Sequence, residues 1–150
     1  MSDNNNNTMP LSGSEYRRVG ALIYDKIASY ANLPYGCEVD YQGINGVNHI
    51  GFLTVPGGKI LKRFVTGGFE AQLPFQILYK TMPTDNNLSF EAENLIDDLA
   101  DWLEMRPYPD LTDERVVTSI IMDSTTYRSE AQDDGSIVFV RNGTVVYEKG

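Results

Sequence analysis

The sequence contains few of the residues that form covalent cross-links and metal sites. Among its 150 residues there is one cysteine, Cys37, and one histidine, His49. A single cysteine excludes a disulfide within the chain and fits synthesis in a reducing compartment. One cysteine and one histidine are also too few for a zinc site built from nitrogen and sulfur ligands of one chain. We therefore expect no metal and no cofactor.

Long apolar runs are missing as well. No stretch approaches the roughly 20 apolar residues that a membrane-spanning helix needs, and residues 1–4 show neither the basic nor the apolar region of a secretory signal. We expect the chain to be made in the cytoplasm and to contact no membrane. Apolar residues still make up 41% of the chain, which is enough for a packed core and too much for a disordered protein. The length corresponds to one domain.

Basic residues are in deficit, and the deficit is local. The chain has 12 Lys and Arg against 21 Asp and Glu, for a formal net charge of −9. Residues 85–115 hold ten of the acids and only two bases, so this window carries −8 and the rest of the chain −1. A protein that grips nucleic acid neutralises phosphates with a basic surface. The charge therefore argues against specific DNA binding and indicates one acidic block in a nearly neutral chain.

The first thirty residues predict a tail followed by a helix. Residues 1–13 include an asparagine run and little to bury, which predicts a flexible N-terminal tail. A capping box that begins at Ser12 or Ser14 comes next, and apolar residues then recur at three- and four-residue steps. This pattern predicts a helix over about residues 14–31.

A second helix is predicted near the middle of the chain. Ser89 is its candidate cap, and Pro107 ends it. The helix has one apolar face and one acidic face, the latter formed by Asp97, Asp98, Asp101 and Glu104.

Short apolar runs between turn residues predict strands elsewhere. They lie at about residues 37–41, 49–55, 59–65, 73–82, 116–122, 136–140 and 144–148. Pro56-Gly57-Gly58 predicts a hairpin turn between the second and third strands, the glycine-rich residues 65–68 predict another turn, and Asn142-Gly143 predicts a last hairpin. The order of elements predicts an α+β fold, in which two helices pack on a mostly antiparallel β-sheet with hairpin extensions, in a single domain over residues 14–150.

Two patterns are compatible with chemistry, and a plainer interpretation is preferred for both. Cys37 and His49 could form a thiol–imidazole pair oriented by Asp40, but no local signature of a nucleophile motif is present. The acids of the second helix share a face, yet a straight helix directs its carboxylates apart, whereas a divalent cation needs converging oxygens. We expect a buried cysteine, a histidine at a strand edge and a solvated or partner-facing acidic surface. We therefore expect no enzyme.

Three stretches, taken in order, resemble a known family. They are Lys62-Arg63-Phe64-Val65-Thr66-Gly67, then LPFQILYK at residues 73–80, then LIDDLADWLE at residues 95–104. Together they resemble the minor capsid or tail terminator proteins of long-tailed bacteriophages, particularly the type common in phages of Gram-positive bacteria. Those chains carry a Lys-Arg-Tyr/Phe strand, a glycine turn, an apolar strand that ends in a basic residue, and a helix that ends in Trp-Leu-Glu. Residues 134–149 fit that family's last hairpin, whereas the Asn-rich start and residues 124–127, which lack an expected proline, depart from it.

The resemblance implies a structural virion protein without a chemical step. Such a protein forms a ring, usually a hexamer, that caps the tail tube at the head-proximal end of the tail and takes part in head-tail joining. The implied partners are further copies of the chain, the tail tube protein and the head connector or stopper protein. DNA would pass through the ring without specific binding.

The residues themselves predict how subunits of a ring would meet. A heterologous ring contact needs two unlike surfaces on each subunit. We predict that Lys59, Lys62 and Arg63 of one subunit face Asp97, Asp98, Asp101 and Glu104 of the next. In an alternative placement, the acidic face lines the ring lumen. Two other classes stay open, namely a head-completion protein or other head-tail adaptor, and a small monomeric acidic domain that binds a protein.

Overall fold

The chain forms two helices and eight strands over the residues that the structure describes. This computed structural model describes residues 9–82, 86–108, 114–123, 125–129 and 132–150. The elements in chain order are β1 (Met9–Pro10), α1 (Gly13–Ala28), β2 (Glu38–Tyr41), β3 (His49–Thr54), β4 (Lys59–Arg63), β5 (Phe69–Thr81), α2 (Asn86–Glu104), β6 (Arg115–Met122), β7 (Tyr127–Arg128) and β8 (Ile137–Lys149). The strands belong to one sheet, whose described pairings are antiparallel except that of β2 with β3. The predicted α+β fold is confirmed.

The two longest strands, β5 and β8, form the centre of the sheet. They pair along their whole length, from Phe69 opposite Lys149 to Thr81 opposite Ile137. On the outer side of β5, β3 and β4 follow one another, with β2 beyond β3 and β1 beyond β4. On the outer side of β8, β6 and β7 pair with different stretches of that strand. The sheet therefore has two lateral edges of different composition.

Both helices contribute to one apolar core on one face of the sheet. Alternate residues of β5 and β8 point into this core, because successive strand residues face opposite sides. The buried residues of β5 are Ala71, Leu73, Phe75, Ile77 and Tyr79. α1 packs on β2 and β3, whereas α2 packs on β5, β6 and β8. The opposite side of the sheet, which we call the helix-free face, carries the intervening residues.

The helix boundaries match the predicted cap at α1 but not at α2. The side chain of Ser12 accepts a hydrogen bond from the backbone N–H of Glu15 at 3.2 Å, so Ser12 caps α1. α1 ends at Ala28, three residues earlier than predicted. α2 begins at Asn86, so Ser89 lies inside the helix and the prediction that it caps α2 is wrong.

The predicted hairpin at Pro56-Gly57-Gly58 is wrong. β3 and β4 do not pair with each other, since both run antiparallel to β5 along the same edge, with Thr54 opposite Phe75 and Lys59 opposite Gln72. The residues between them form a bend in one long segment. The hairpin lies at the next glycine-rich link, where the Phe64 N–H donates to the Gly68 carbonyl at 2.9 Å and joins β4 to β5. The turn predicted at residues 65–68 is confirmed.

The predicted turn at Asn142-Gly143 is also wrong, because both residues lie inside β8. Gly143 is opposite Phe75 in β5 and opposite Met122 in β6. A Cβ atom at this position would lie 2.5 Å from the Met122 Sδ and 2.8 Å from the Phe75 Cζ. The glycine is therefore required by the packing of large neighbours, which a local turn motif does not reveal.

The folded part of the chain begins earlier than the predicted boundary at residue 14. Met9 and Pro10 pair with β4, and the Leu11 N–H donates to the Gly58 carbonyl at 2.9 Å. Leu11 is only 6% exposed and belongs to the core. The prediction of a flexible tail is therefore wrong for residues 9–13, and its remaining part, residues 1–8, lies outside the described residues.

Candidate assembly interface

One lateral edge of the sheet is basic. The predicted strand that carries three basic residues is β4, and all three are exposed: Lys59, Lys62 and Arg63. The Lys62 ammonium lies 5.9 Å from the centroid of the Phe64 ring, and the Arg63 guanidinium contacts the Met9 sulfur at 3.4 Å. Within the described ranges, none of the three cations forms an ion pair. We call β1 and β4 with these cations the basic edge.

The four predicted acids of α2 fall into two pairs with different roles. Asp98 and Asp101 are exposed on the outer face of the helix. Asp97 accepts hydrogen bonds from the Arg141 guanidinium at 2.8 Å and from the Thr126 hydroxyl at 2.7 Å. Glu104 accepts from the backbone N–H of Met122 at 2.9 Å. Asp97 and Glu104 therefore attach α2 to its own sheet, which leaves Asp98 and Asp101 as the pair directed at solvent.

Arg141 is a buried charged residue of this region that the sequence analysis missed. Its side chain is 9% exposed and lies in the middle of β8, where its guanidinium donates to the Asp123 carbonyl at 2.7 Å and to Asp97. The available signal was a charged residue at a core-facing position of the alternating pattern Ile137, Phe139, Arg141, Gly143, Val145. A groove of about 420 Å³ opens beside it, lined by Glu93, Asp97, Asp101, Thr125, Thr126 and Arg141.

A second buried charge group connects the first turn of α1 to β6 and β8. The Arg115 guanidinium donates to both carboxylate oxygens of Glu15, with 3.0 Å from Nε to Oε1, and the Tyr147 hydroxyl donates to Oε1 at 2.7 Å. Burial acts to raise the Glu15 pKa, but the bonds from Arg115 and Tyr147 outweigh burial and hold that pKa below its ordinary value. Burial, followed by the Glu15 contact, raises the pKa of Tyr147. Glu15 therefore stays ionised beside a buried guanidinium.

The basic edge and β6, over which α2 packs, form opposite lateral edges of the sheet. Across one row of the helix-free face, Lys62 of β4 is followed by Glu70 of β5, Glu148 of β8 and Val116 of β6. Three strand spacings separate the two ends of this row, which is about 14 Å. α2 packs over β5, β8 and β6, on the side away from β4. In this arrangement the two charged surfaces face outward in different directions.

The structure brings His49 and Asp40 together but shows no thiol–imidazole pair. His49 Nδ1 lies 2.8 Å from Asp40 Oδ2, which also accepts the Asn45 N–H at 2.7 Å. The described polar contact of the Cys37 sulfur is with the Glu38 carbonyl at 3.8 Å, and burial raises the pKa of this thiol, which disfavours the reactive thiolate. A Cβ atom on Gly46 would lie 3.2 Å from His49 Nε2, so the loop covers that nitrogen. The pair holds the loop between β2 and β3.

Other kinds of site find no support in the part of the chain that the structure describes. No three His, Cys, Asp or Glu side chains there converge to hold a metal ion. No described helix combines the length and apolar character needed to cross a membrane. Comparison with known proteins adds no family, since no protein-family model matches the chain and no curated protein matches it. The exposed surfaces described above are therefore the features of the molecule that bear on its function.

Proposed function

We propose that this protein is a bacteriophage tail terminator, a structural virion protein that forms a ring at the head-proximal end of the tail tube and joins it to the head connector. The observation that supports the proposal is the separation of a basic edge from an acidic surface across one sheet. The ordered resemblance of residues 62–67, 73–80 and 95–104 to terminator proteins adds to it.

Unlike surfaces on opposite sides favour a head-to-tail contact. In a two-fold dimer each surface meets itself, so the cations of the basic edge would face one another. In a closed ring each surface meets the other kind. The basic edge of one subunit, with Lys59, Lys62 and Arg63, then meets the lateral side of the next that carries β6 and α2, while Asp97 and Glu104 serve the subunit that carries them. The resemblance to terminator proteins implies six subunits in the ring.

The working parts of such a ring are contacts and a channel, with no chemical step and no cofactor. The tail tube protein and the head connector or stopper protein would bind its two end surfaces. DNA would pass through the channel without specific binding, because a chain of net charge −9 offers no continuous basic surface to phosphates. A turnover that depends on pH and is abolished by His49→Ala would contradict this proposal.

Electron microscopy of assembled particles tests the proposal. Tail tubes incubated with the full chain should show an extra ring at one end, and only tubes with that ring should join filled heads. Tubes incubated without the chain serve as the control. If the chain binds heads that have no tail, it is a head-completion protein or another adaptor. If it stays monomeric and binds neither particle, the proposed class is wrong, and a monomeric acidic binding domain replaces it.

A further inference from the structure

The two lateral edges of the sheet differ in how they are protected against pairing. The basic edge carries Pro10, Lys59 and Lys62, and proline and lysine are the residues with which natural sheets prevent edge-to-edge association. β6, with the sequence RVVTSIIM, has no proline and no charge after Arg115. Among the described strands β6 pairs with β8 alone. β6 is therefore a long edge strand whose described protection is limited to a β-bulge between Val117 and Ser119 and to Glu104, which accepts the Met122 N–H at one end.

Exposed apolar side chains follow the same strand. Val116 is 63% exposed and Ile121 is 58% exposed, both on the helix-free face. Tyr127 of the neighbouring β7 is 49% exposed. A long apolar edge strand without proline or lysine in a natural protein indicates a surface that another polypeptide covers.

The charges around β6 specify which surface fits. Glu114 and Asp123 flank the two ends of β6 and are exposed. Asp98 and Asp101 are exposed on α2, on the face of the sheet that Arg63 shares, whereas Lys59 and Lys62 lie on the helix-free face. Contact of β6 with a second β6 would bring two such sets of carboxylates together, and like charges across an interface oppose association. A basic surface is attracted by the same set.

The basic edge of a second copy meets this requirement in both charge and position. Both edges terminate the same rows of the helix-free face. One row is Pro10, Lys59, Gln72, Val146 and Ser119, and the next row on that face is Lys62, Glu70, Glu148 and Val116. A second copy placed side by side continues these rows. Lysines on one edge and acids beside the other exclude both self-pairings, because each would join like charges.

We infer that the β6 edge of one subunit docks against the basic edge of the next copy, head to tail, so that neighbouring sheets lie side by side in the ring. This inference rests on the proposed ring and names the strands that form its contact. It places the helix-free faces of all subunits on one side of the ring wall and the helices on the other.

Site-directed cross-linking of the full chain tests the contact. In a Cys37→Ser background, which removes the only native thiol, Lys62→Cys is combined with Val116→Cys. A bis-maleimide linker of about 10 Å spans two strand spacings but not the three spacings that separate these positions within one chain. We expect a series of covalent oligomers that ends at the ring, with the protein alone or with tail tubes. Lys62→Cys combined with Asp25→Cys, an exposed position on α1, is the matched control and should give no series.

The single-cysteine variants and native mass spectrometry distinguish failure of the edge contact from failure of the proposed function. Each single-cysteine variant should remain monomeric on a denaturing gel, and dimers of the Val116→Cys variant would instead show a two-fold β6 contact and overturn the inference. Rings seen by native mass spectrometry without a cross-linked series would overturn the edge contact and leave the proposed terminator in place. Absence of both rings and cross-links, with and without tail tubes, would overturn the proposed function and the inference together.

Discussion

At the scale of single residues, the buried charges are the features with the largest expected energetic effect. Arg115 is 4% exposed and its side chain meets the Glu15 carboxylate and, through it, the Tyr147 hydroxyl. Such a group adds little net stability compared with an apolar replacement, but removing one partner leaves an uncompensated charge. The same holds for Arg141 with Asp97. Substitution of either partner in these two charge pairs should therefore lower the stability of the fold.

Glu15→Gln should destabilise the protein strongly. The variant keeps the shape of the side chain but removes the carboxylate charge that the buried Arg115 guanidinium meets, which we expect to lower the free energy of unfolding by about 3–5 kcal/mol. Urea denaturation measures this change. Asp25→Asn, at an exposed position of the same helix, should change the value by less than about 0.5 kcal/mol. Equal effects of the two substitutions would show that the buried pair does not matter.

The same carboxylate predicts the direction of the pH dependence. The Glu15 pKa is lower in the folded chain than its ordinary value of 4.5, so the unfolded chain binds the proton first as acid is added. The contribution of Glu15 to stability is therefore complete above pH 4.5 and is lost as the pH falls through the folded pKa. Urea midpoints measured between pH 7 and pH 3 should fall less in Glu15→Gln than in the native chain. A residual dependence remains, because the bonds from Ser136 also lower the pKa of Asp134.

Gly143→Ala tests why a glycine stands inside β8. The added methyl group would overlap Met122 and Phe75, and Phe75 is fully buried and has little room to move. We expect a loss of about 1–3 kcal/mol in the free energy of unfolding, typical of overpacking in a core. Gly43→Ala is the control, since a Cβ atom there meets nothing within 4 Å. If both glycines tolerate alanine equally, the packing explanation is wrong.

At the scale of elements, α2 combines attachment and recognition on different parts of its acidic face. Asp97 and Glu104 bond to β8, to the segment before β7 and to the end of β6. Asp98 and Asp101 project outward from the same helix turns. Substitutions of the first pair should therefore affect folding, and substitutions of the second pair should affect association.

Reversing the charge of the exposed pair separates these two roles. The variant Asp98→Lys/Asp101→Lys should unfold within about 0.5 kcal/mol of the native chain, since surface changes have small effects, yet its rings should dissociate at lower salt concentrations. Analytical ultracentrifugation and head-joining assays measure this. Asp25→Lys/Glu38→Lys reverses two exposed acids elsewhere and should leave rings unchanged. Intact rings with slower DNA ejection would favour the acidic face as a lumen wall, and no effect at all would contradict both placements.

At the scale of the whole molecule, the uneven charge governs the behaviour toward DNA. The exposed acids Asp98 and Asp101 lie on α2, which packs on β5, β8 and β6, and the exposed cations of β4 lie at the other lateral edge. We expect the isolated chain to bind duplex DNA with a Kd above about 0.1 mM at physiological salt, which is the weak limit of non-specific binding. Fluorescence anisotropy with a salt titration measures this. A micromolar affinity that falls steeply with salt would contradict the expected passage of DNA without binding.

The apolar pattern of the sequence predicted most of the helices and strands correctly, but it predicted some of the connections between strands wrongly. Periodicity located both helices and nearly all strands, because a buried face imposes its period on local sequence. Two of the three glycine-containing motifs that predicted turns between paired strands have other roles. Gly57 lies in a bend along one edge of the sheet, and Gly143 allows close packing against Phe75. Which strands pair depends on contacts between residues far apart in the chain. Arg141 and Arg115 were likewise missed as buried partners for this reason.

Composition and local period account for the α+β class, the amphipathic helices, the acidic block and the absence of a disulfide within the chain. The long-range strand pairing was needed to establish that Asp97 and Glu104 are occupied within the chain, that β6 is an apolar edge without proline or lysine, and that the basic edge lies at the other end of the same rows. These properties arise when β5 and β8 pair along their whole length and bring distant segments side by side. A charge becomes a link within the fold or a surface for a partner according to the neighbours that this pairing supplies.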